Sequence, residues 1–116
     1  MLRISICSVT AFLMLAAPAH ANALSAAEIQ SNLIGTTLNF KNNRGTKGTV
    51  IYLKNGDLKW TNENGYHGGG AWRLEKDKLC NKLFRTSTFN GRGWRCNTVR
   101  TRPGGKYKMG AGTLWK

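Results

Sequence analysis

The chain has 116 residues and a formal net charge of +13, with 18 Lys and Arg against five Asp and Glu. A chain of this length makes one small domain. So few acidic residues argue against a glycosidase, which needs two carboxylates flanking the scissile bond, and the excess of positive charge favours polyanionic partners.

Residues 1–23 have the pattern of a secretory signal peptide. Arg3 precedes an apolar run from Ile4 to Ala17, and small residues follow. This order predicts cleavage after Ala21 or Ala23, and a periplasmic or secreted protein. The run is shorter than the ~20 residues that span a bilayer, so no transmembrane span is expected after cleavage. An uncleaved N-terminal anchor is the alternative. The oligomeric state is not predicted.

Residues 24–116 are therefore expected to form the single folded domain, and their two cysteines are Cys80 and Cys96. Two cysteines in an exported protein predict a disulfide, which would stabilise the fold by about 3 kcal/mol. Zinc would need four ligands, whereas this segment offers these cysteines, His67 and a few carboxylates. We predict no metal site and no cofactor.

The first element after residue 23 is a predicted helix. Ser25-Ala26-Ala27-Glu28 is a capping box, and Leu24 and Ile29 occupy the positions of a hydrophobic staple. Gly35 is predicted to be its C-cap. A helix this short has a narrow apolar face, which should pack on a sheet as a plug or lid.

Beyond Gly35 the apolar residues alternate, which predicts strands. Asn55-Gly56 is expected to supply the positive backbone angles of a tight hairpin, and Asn64-Gly65 marks the next turn. The predicted strands are Thr36–Phe40, Gly48–Leu53, Leu58–Thr61, Gly70–Glu75, Leu79–Phe84, Gly93–Thr101, Lys106–Gly110 and Thr113–Trp115. The fold class is thus mainly β: a small antiparallel barrel or meander of about 7–8 short strands with one short N-terminal α-helix, or else a sandwich.

Two segments carry a resemblance to a known family. Gly69-Gly70-Ala71-Trp72-Arg73-Leu74-Glu75-Lys76-Asp77-Lys78-Leu79-Cys80, followed by Trp94-Arg95-Cys96, resembles a Gly-x-Trp…Leu-Cys…Cys motif of small, largely uncharacterised exported proteins of Gram-negative bacteria. The resemblance implies a barrel similar in outline to lipocalins or streptavidin, and a periplasmic location. It transfers no catalytic or ligand-binding residue.

The stretch His67-Gly68-Gly69-Gly70 has the composition of the oxyanion loop of lipases. A hydrolase would also need a Gly-x-Ser-x-Gly elbow and a triad, which the chain lacks. We interpret the three glycines as a turn whose positive backbone angles let Trp72 enter the core. His67 is expected to be a solvated loop residue. No catalytic residue is predicted, and the protein is not expected to be an enzyme.

Basic residues concentrate late in the chain. Alternation on the strand 93–101 puts Trp94, Cys96 and Thr98 on one face and Arg95, Asn97 and Val99 on the other. The hairpin that contains this strand can therefore present a row of basic residues on its outer face and aromatic residues on its inner face. The candidate anion-binding residues are Arg85, Arg92, Arg95, Arg100, Arg102, Lys106 and Lys108. The first functional hypothesis is an envelope-associated binding protein that contacts lipopolysaccharide, acidic glycan, nucleic acid or an acidic protein. Alternatively, the charge serves solubility alone.

The aromatic residues support a second hypothesis. They are expected to fill the core first, but a barrel of about eight strands can hold one small ligand. A lipocalin-like carrier of a small apolar or amphipathic ligand would use Trp60, Trp72, Trp94 and Tyr107 as pocket candidates.

Overall fold

The computed structural model describes residues 22–86 and 90–116. Most of the expected signal peptide, residues 1–21, lies outside the described residues. One helix, α1 (Ala26–Asn32), precedes the strands. These are β1 (Thr37–Lys41), β2 (Lys47–Tyr52), β3 (Asp57–Asn62), β4 (His67–Glu75), β5 (Lys78–Leu83), β6 (Arg95–Arg102), β7 (Lys106–Met109) and β8 (Gly112–Trp115).

The eight strands form a closed antiparallel barrel. Each pairs with the next along the chain, and β1 pairs with β8 from Asn39↔Trp115 to Lys41↔Thr113. The prediction of a small, mainly β barrel with one short helix is confirmed. In the described part of the chain, no helix has the length and apolar character required to cross a membrane.

Three of the hairpin turns have the same form. Their glycines, Gly45, Gly56 and Gly65, all have φ between 85° and 98°. In each turn, the residue three positions before the glycine makes two backbone hydrogen bonds. Its carbonyl oxygen accepts from the glycine N–H, and its own N–H donates to the carbonyl oxygen of the residue that follows the glycine. Asn55 does not share the positive angle predicted for it, because this loop has three residues and only its last one needs the left-handed region.

Helix α1 closes one end of the barrel. The capping box is present: the Glu28 amide donates to Ser25 Oγ at 3.1 Å, and the Ser25 amide donates to Glu28 Oε1 at 2.9 Å. Leu24, Ile29, Leu33 and Ile34 are buried and pack in one core with inward residues of the strands. The predicted plug is therefore observed.

The C-terminal cap of α1 differs from the prediction. The cap is Leu33, whose N–H donates to Ile29 O, and Gly35 lies two residues beyond it with φ 85°. Gly35 donates its N–H to Tyr52 O at 2.7 Å. Its left-handed conformation thus turns the chain onto β2 rather than ending the helix.

Two further contacts hold the plug. The Ala26 amide donates to Asp77 Oδ1 in the β4–β5 turn at 2.8 Å. Ahead of the helix, Ala23 forms a bridge with Arg100, and Leu24 donates its N–H to Val99 O at 2.8 Å. Residues 22–24 therefore lie along β6 where its pairing with β5 has ended.

The predicted disulfide is confirmed. Cys80 and Cys96 are directly opposite each other on β5 and β6, and they are joined. Because side chains alternate along a strand, the pairs on either side of the disulfide, Leu79↔Asn97 and Asn81↔Arg95, face the barrel interior.

Candidate ligand-binding cavity

The half of the barrel opposite α1 holds a cavity of about 770 Å³. Its wall consists of inward side chains of the strands, and its mouth is made by the β1–β2 turn and residues 90–93 ahead of β6. One end of the barrel is therefore filled by the plug, and the other end has room for a ligand.

Glycines on the inner face help to leave this space. Gly68 is paired with Trp60, and a Cβ atom on Gly68 would lie 2.7 Å from Cζ2 of the Trp60 indole. A Cβ atom on Gly48 would lie 2.8 Å from the Phe40 ring. The missing side chains let both aromatic rings lie against the wall instead of filling the cavity.

The His67-Gly68-Gly69-Gly70 stretch is therefore not the turn that was predicted. It begins β4, and none of its glycines has a positive φ. Gly68 and Gly70 face inward, opposite Trp60 and Leu58, and Gly69 faces outward. Close packing requires glycine at positions 68 and 70, where a Cβ atom would lie 2.7 Å from the Trp60 ring and within 2.3 Å of Lys82 O. The strand starts at His67, which is exposed.

The floor of the cavity is apolar apart from one hydroxyl group. Val50, Leu58, Met109 and Leu114 line it. Tyr52, which is 2% exposed, accepts a hydrogen bond from Asn81 Nδ2 at 3.2 Å and directs its hydroxyl group toward Met109 Sδ at 3.9 Å. Burial raises the pKa of Tyr52 to about 12, partly opposed by the Asn81 hydrogen bond. The hydroxyl is thus neutral at physiological pH.

The upper wall and mouth are polar and basic. The lining includes no carboxylate, and it includes six asparagines: Asn42, Asn43, Asn62, Asn81, Asn90 and Asn97. It also includes four cationic residues, Lys41, Arg44, Arg92 and Arg95. Such a wall favours an anionic or strongly hydrogen-bonding group over a wholly apolar one.

Two lining residues carry buried polar atoms without a partner. They are Trp60 Nε1, a donor, and Asn81 Oδ1, an acceptor. A buried polar group without a hydrogen bond costs about 1–3 kcal/mol. The cavity wall therefore contains polar groups whose hydrogen-bonding capacity the protein itself does not use.

Of the four aromatic pocket candidates, Trp60 lines the cavity. Trp72 points inward nearer the plug, where its Nε1 donates to Leu53 O at 2.6 Å and its ring meets Tyr52 edge-on. Tyr107, opposite Leu114, packs against the core. Trp94 lies outside, beneath Arg73, whose guanidinium carbon is 4.1 Å from the ring centroid.

The basic candidates divide into two groups. Arg92 and Arg95 line the cavity. Arg100 and Arg102 lie opposite Lys108 and Lys106 on the outer face of β6 and β7. We call these four residues the outer basic ladder. Arg85 follows β5 and is exposed.

The inner face of the β6–β7 hairpin differs from the sequence expectation. Arg95, Asn97 and Val99 do share a face, but it is the inner one, so Arg95 lies apart from the outer ladder. Trp94 and Cys96 are on the outer face because the disulfide joins β5 and β6 outside the barrel.

One group of metal-binding residue types comes together in the described part of the chain: Glu75, Cys80 and Cys96. Both sulfurs belong to the disulfide and so offer no thiolate to a metal.

The asparagines and Arg44 were not predicted as site residues. A spacing of two residues puts each asparagine on the same face as an apolar residue: Asn81 with Leu83, and Asn97 with Val99. This spacing was the signal that could have placed the two amides on the inner face. Arg44 lies in a turn, where no periodicity indicates a direction.

Comparisons of the chain with protein-family models, with curated proteins and with solved structures found no match.

Proposed function

We propose that this protein is an exported, non-enzymatic carrier that holds one small amphipathic ligand in the open half of its barrel. The observation that carries the proposal is the cavity of about 770 Å³, with an apolar floor and a polar mouth. Small-molecule sites have volumes of roughly 300–1,000 Å³. The resemblance to exported Gram-negative proteins and the disulfide support a periplasmic or secreted location.

The floor alone would bind weakly. Burying ~200 Å² of apolar ligand surface contributes about 5 kcal/mol, whereas association costs at least ~4 kcal/mol in lost freedom. Useful affinity therefore depends on polar contacts with the upper wall, where Asn62, Asn97 and Arg95 line the cavity. An amphipathic ligand satisfies both parts of the cavity.

The test is to block the cavity without disturbing the strands. Gly112 lines the cavity, and a Cβ atom there would only touch Lys41 O at 3.4 Å and Met109 O at 3.6 Å. A Gly112→Phe variant would place its ring in the cavity. The matched control is Gly69→Phe, since Gly69 faces outward and a Cβ atom there would be 3.6 Å from Leu58 O.

Binding is measured by the fluorescence of N-phenyl-1-naphthylamine, a neutral apolar probe. We expect the unmodified protein and Gly69→Phe to bind the probe equally, and Gly112→Phe to bind about tenfold more weakly or not at all. Absence of binding by the unmodified protein, or equal binding by both variants, would contradict the carrier proposal.

The outer basic ladder supports a second candidate function, contact with an anionic envelope component or acidic macromolecule. Its four cationic residues form two cross-strand pairs, Arg100↔Lys108 and Arg102↔Lys106. Four positive charges close together on one face raise the local positive potential, which attracts a polyanion.

A salt titration of binding to lipopolysaccharide and to DNA tests this second function. We expect affinity to fall steeply with salt, and the double variant Lys106→Gln, Lys108→Gln to bind more weakly than the single-site control Lys59→Gln on β3. An affinity that does not change with salt concentration would refute this second function.

A further inference from the structure

We infer that the ligand is an amphipathic anion whose acidic group is bound at the open end of the barrel by Arg95, an inference that rests on the proposed carrier function. Arg95 is the first residue of β6 and lines the cavity opposite Asn81. The acidic group would lie between Arg95 and the amides of the upper wall, with the apolar part of the ligand toward the floor.

The inward position of Arg95 is fixed by its covalent neighbour. Arg95↔Asn81 is the pair next to Cys96↔Cys80, which are joined on the outer face. A slip of one residue between β5 and β6 would turn every side chain of β6 to the opposite face. The disulfide prevents that slip and so holds Arg95 toward the interior.

The charge of the cavity points to the sign of the ligand. Among the described residues, its lining includes Arg44, Arg92 and Arg95 but no carboxylate. The one salt bridge found among residues 22–86 and 90–116, Arg73 with Glu75, lies on the outer surface. The cationic residues of the lining are exposed at the mouth, where a bound anion would form charge-assisted hydrogen bonds with them.

The surrounding groups can complete the coordination of an acidic group. Asn97 and Asn62 line the same wall and can donate from their amides. A planar guanidinium flanked by neutral donors matches the geometry of a carboxylate, a sulfonate or a phosphate.

The experiment compares two probes that share an apolar body. 1-Anilinonaphthalene-8-sulfonate carries an acidic group, and N-phenyl-1-naphthylamine lacks it. We expect the unmodified protein to bind the sulfonate more tightly, and Arg95→Gln to weaken sulfonate binding by about tenfold or more while leaving the neutral probe unchanged. Arg95→Lys should restore part of the affinity.

The matched control is Arg102→Gln, which removes the same charge from the outer face. It should leave sulfonate binding nearly unchanged, which separates a local contact from the attraction of the net charge. Decanoate and decyl phosphate should displace the sulfonate, and the one that competes better identifies the preferred acidic group. Neutral decanol should need a concentration about tenfold higher or more to displace it.

The outcomes separate the two proposals. If the neutral probe binds and Arg95→Gln weakens sulfonate binding no more than Arg102→Gln does, the anion inference is wrong and the carrier function stands. If neither probe binds the unmodified protein, both are wrong. A near-ultraviolet circular dichroism spectrum shows whether Arg95→Gln keeps its fold. If Arg95→Gln does not fold, Arg95→Lys replaces it in the test. The inference is then refuted if Arg95→Lys binds the sulfonate no more tightly than the neutral probe.

Discussion

The indole ring of Trp60 lies directly against Gly68, its partner across β3 and β4, so that a Cβ atom on Gly68 would come within 2.7–2.8 Å of three indole atoms. Real Cβ atoms do not approach other atoms this closely. A single hydrogen in place of a side chain therefore sets where the indole lies and how much of the cavity stays open.

Replacing Gly68 by Ala should push the indole away from the wall. We expect a loss of about 1–3 kcal/mol in the free energy of unfolding, as for other overpacked sites, and a shift in tryptophan fluorescence. Denaturant titration measures the first effect. Gly69→Ala is the control, since its Cβ would meet Leu58 O at 3.6 Å, and equal losses in the two variants would contradict the prediction.

The buried phenol of Tyr52 predicts a pH dependence of stability. Burial raises its pKa from 10.0 to about 12. Below pH 10 the phenol is neutral in both the folded and the unfolded chain. Between pH 10 and 12 it ionises only when unfolded, so the stability present below pH 10 is progressively lost, by up to about 3 kcal/mol from this group.

Comparison with Tyr52→Phe isolates this contribution from the titration of the lysines. The variant should be less stable at neutral pH by about 1 kcal/mol, because Asn81 Nδ2 loses its acceptor. Its stability should then fall less steeply than that of the unmodified protein from pH 10 to 12. Parallel curves would show that Tyr52 does not hold its proton in the folded state.

The disulfide links residues 16 apart in the sequence and constrains the unfolded chain. The double variant Cys80→Ala, Cys96→Ala should lose about 3 kcal/mol of unfolding free energy, measured by denaturant titration. A thiol assay of the unmodified protein under denaturing conditions should find neither cysteine of the domain free. Two free thiols would exclude the bond.

Asp77 holds the start of α1 through the Ala26 amide. Asp77→Ala should cost about 1 kcal/mol, as the loss of a helix cap does. Asp77→Asn keeps an acceptor oxygen and should cost less. If both variants unfold at the same denaturant concentration as the unmodified protein, the contact does not stabilise the plug.

The pairing of residues 22–24 distinguishes the two expected leader cleavage sites. Thr101 donates its N–H to Asn22 O at 2.8 Å, and Ala23 bridges to Arg100. Cleavage after Ala23 would remove both contacts, whereas cleavage after Ala21 keeps them. If the chain is cleaved at one of these two sites, we expect N-terminal sequencing to begin at Asn22, and a sequence that begins at Leu24 would contradict this.

The sequence predicted the barrel because its strand and turn signals are local. Alternating apolar residues and the glycines of the turns depend on a few neighbouring residues, and all eight predicted strands overlap observed ones. The capping box was equally local. The disulfide followed from the expected export together with the two cysteines that remain after residue 23.

The cavity could not be predicted in the same way, because it depends on which face of each strand is the inner one. Glycine has a low preference for strands, so Gly68-Gly69-Gly70 resembled a loop until Trp60 was placed opposite. Arg95 was expected on the surface because of its charge. Arg95 is indeed exposed, but it lines the cavity because of the register beside Cys96, which only the paired strands reveal.

Closure of the barrel also bears on how the protein behaves when crowded. Each of the eight described strands has a neighbour on both sides, so the barrel offers no unpaired strand edge to which another chain could add. The seam between β1 and β8 is the shortest, with three residue pairs. Self-assembly into fibrils would first have to open that seam, and mutual repulsion among strongly cationic molecules would oppose the approach of a second copy.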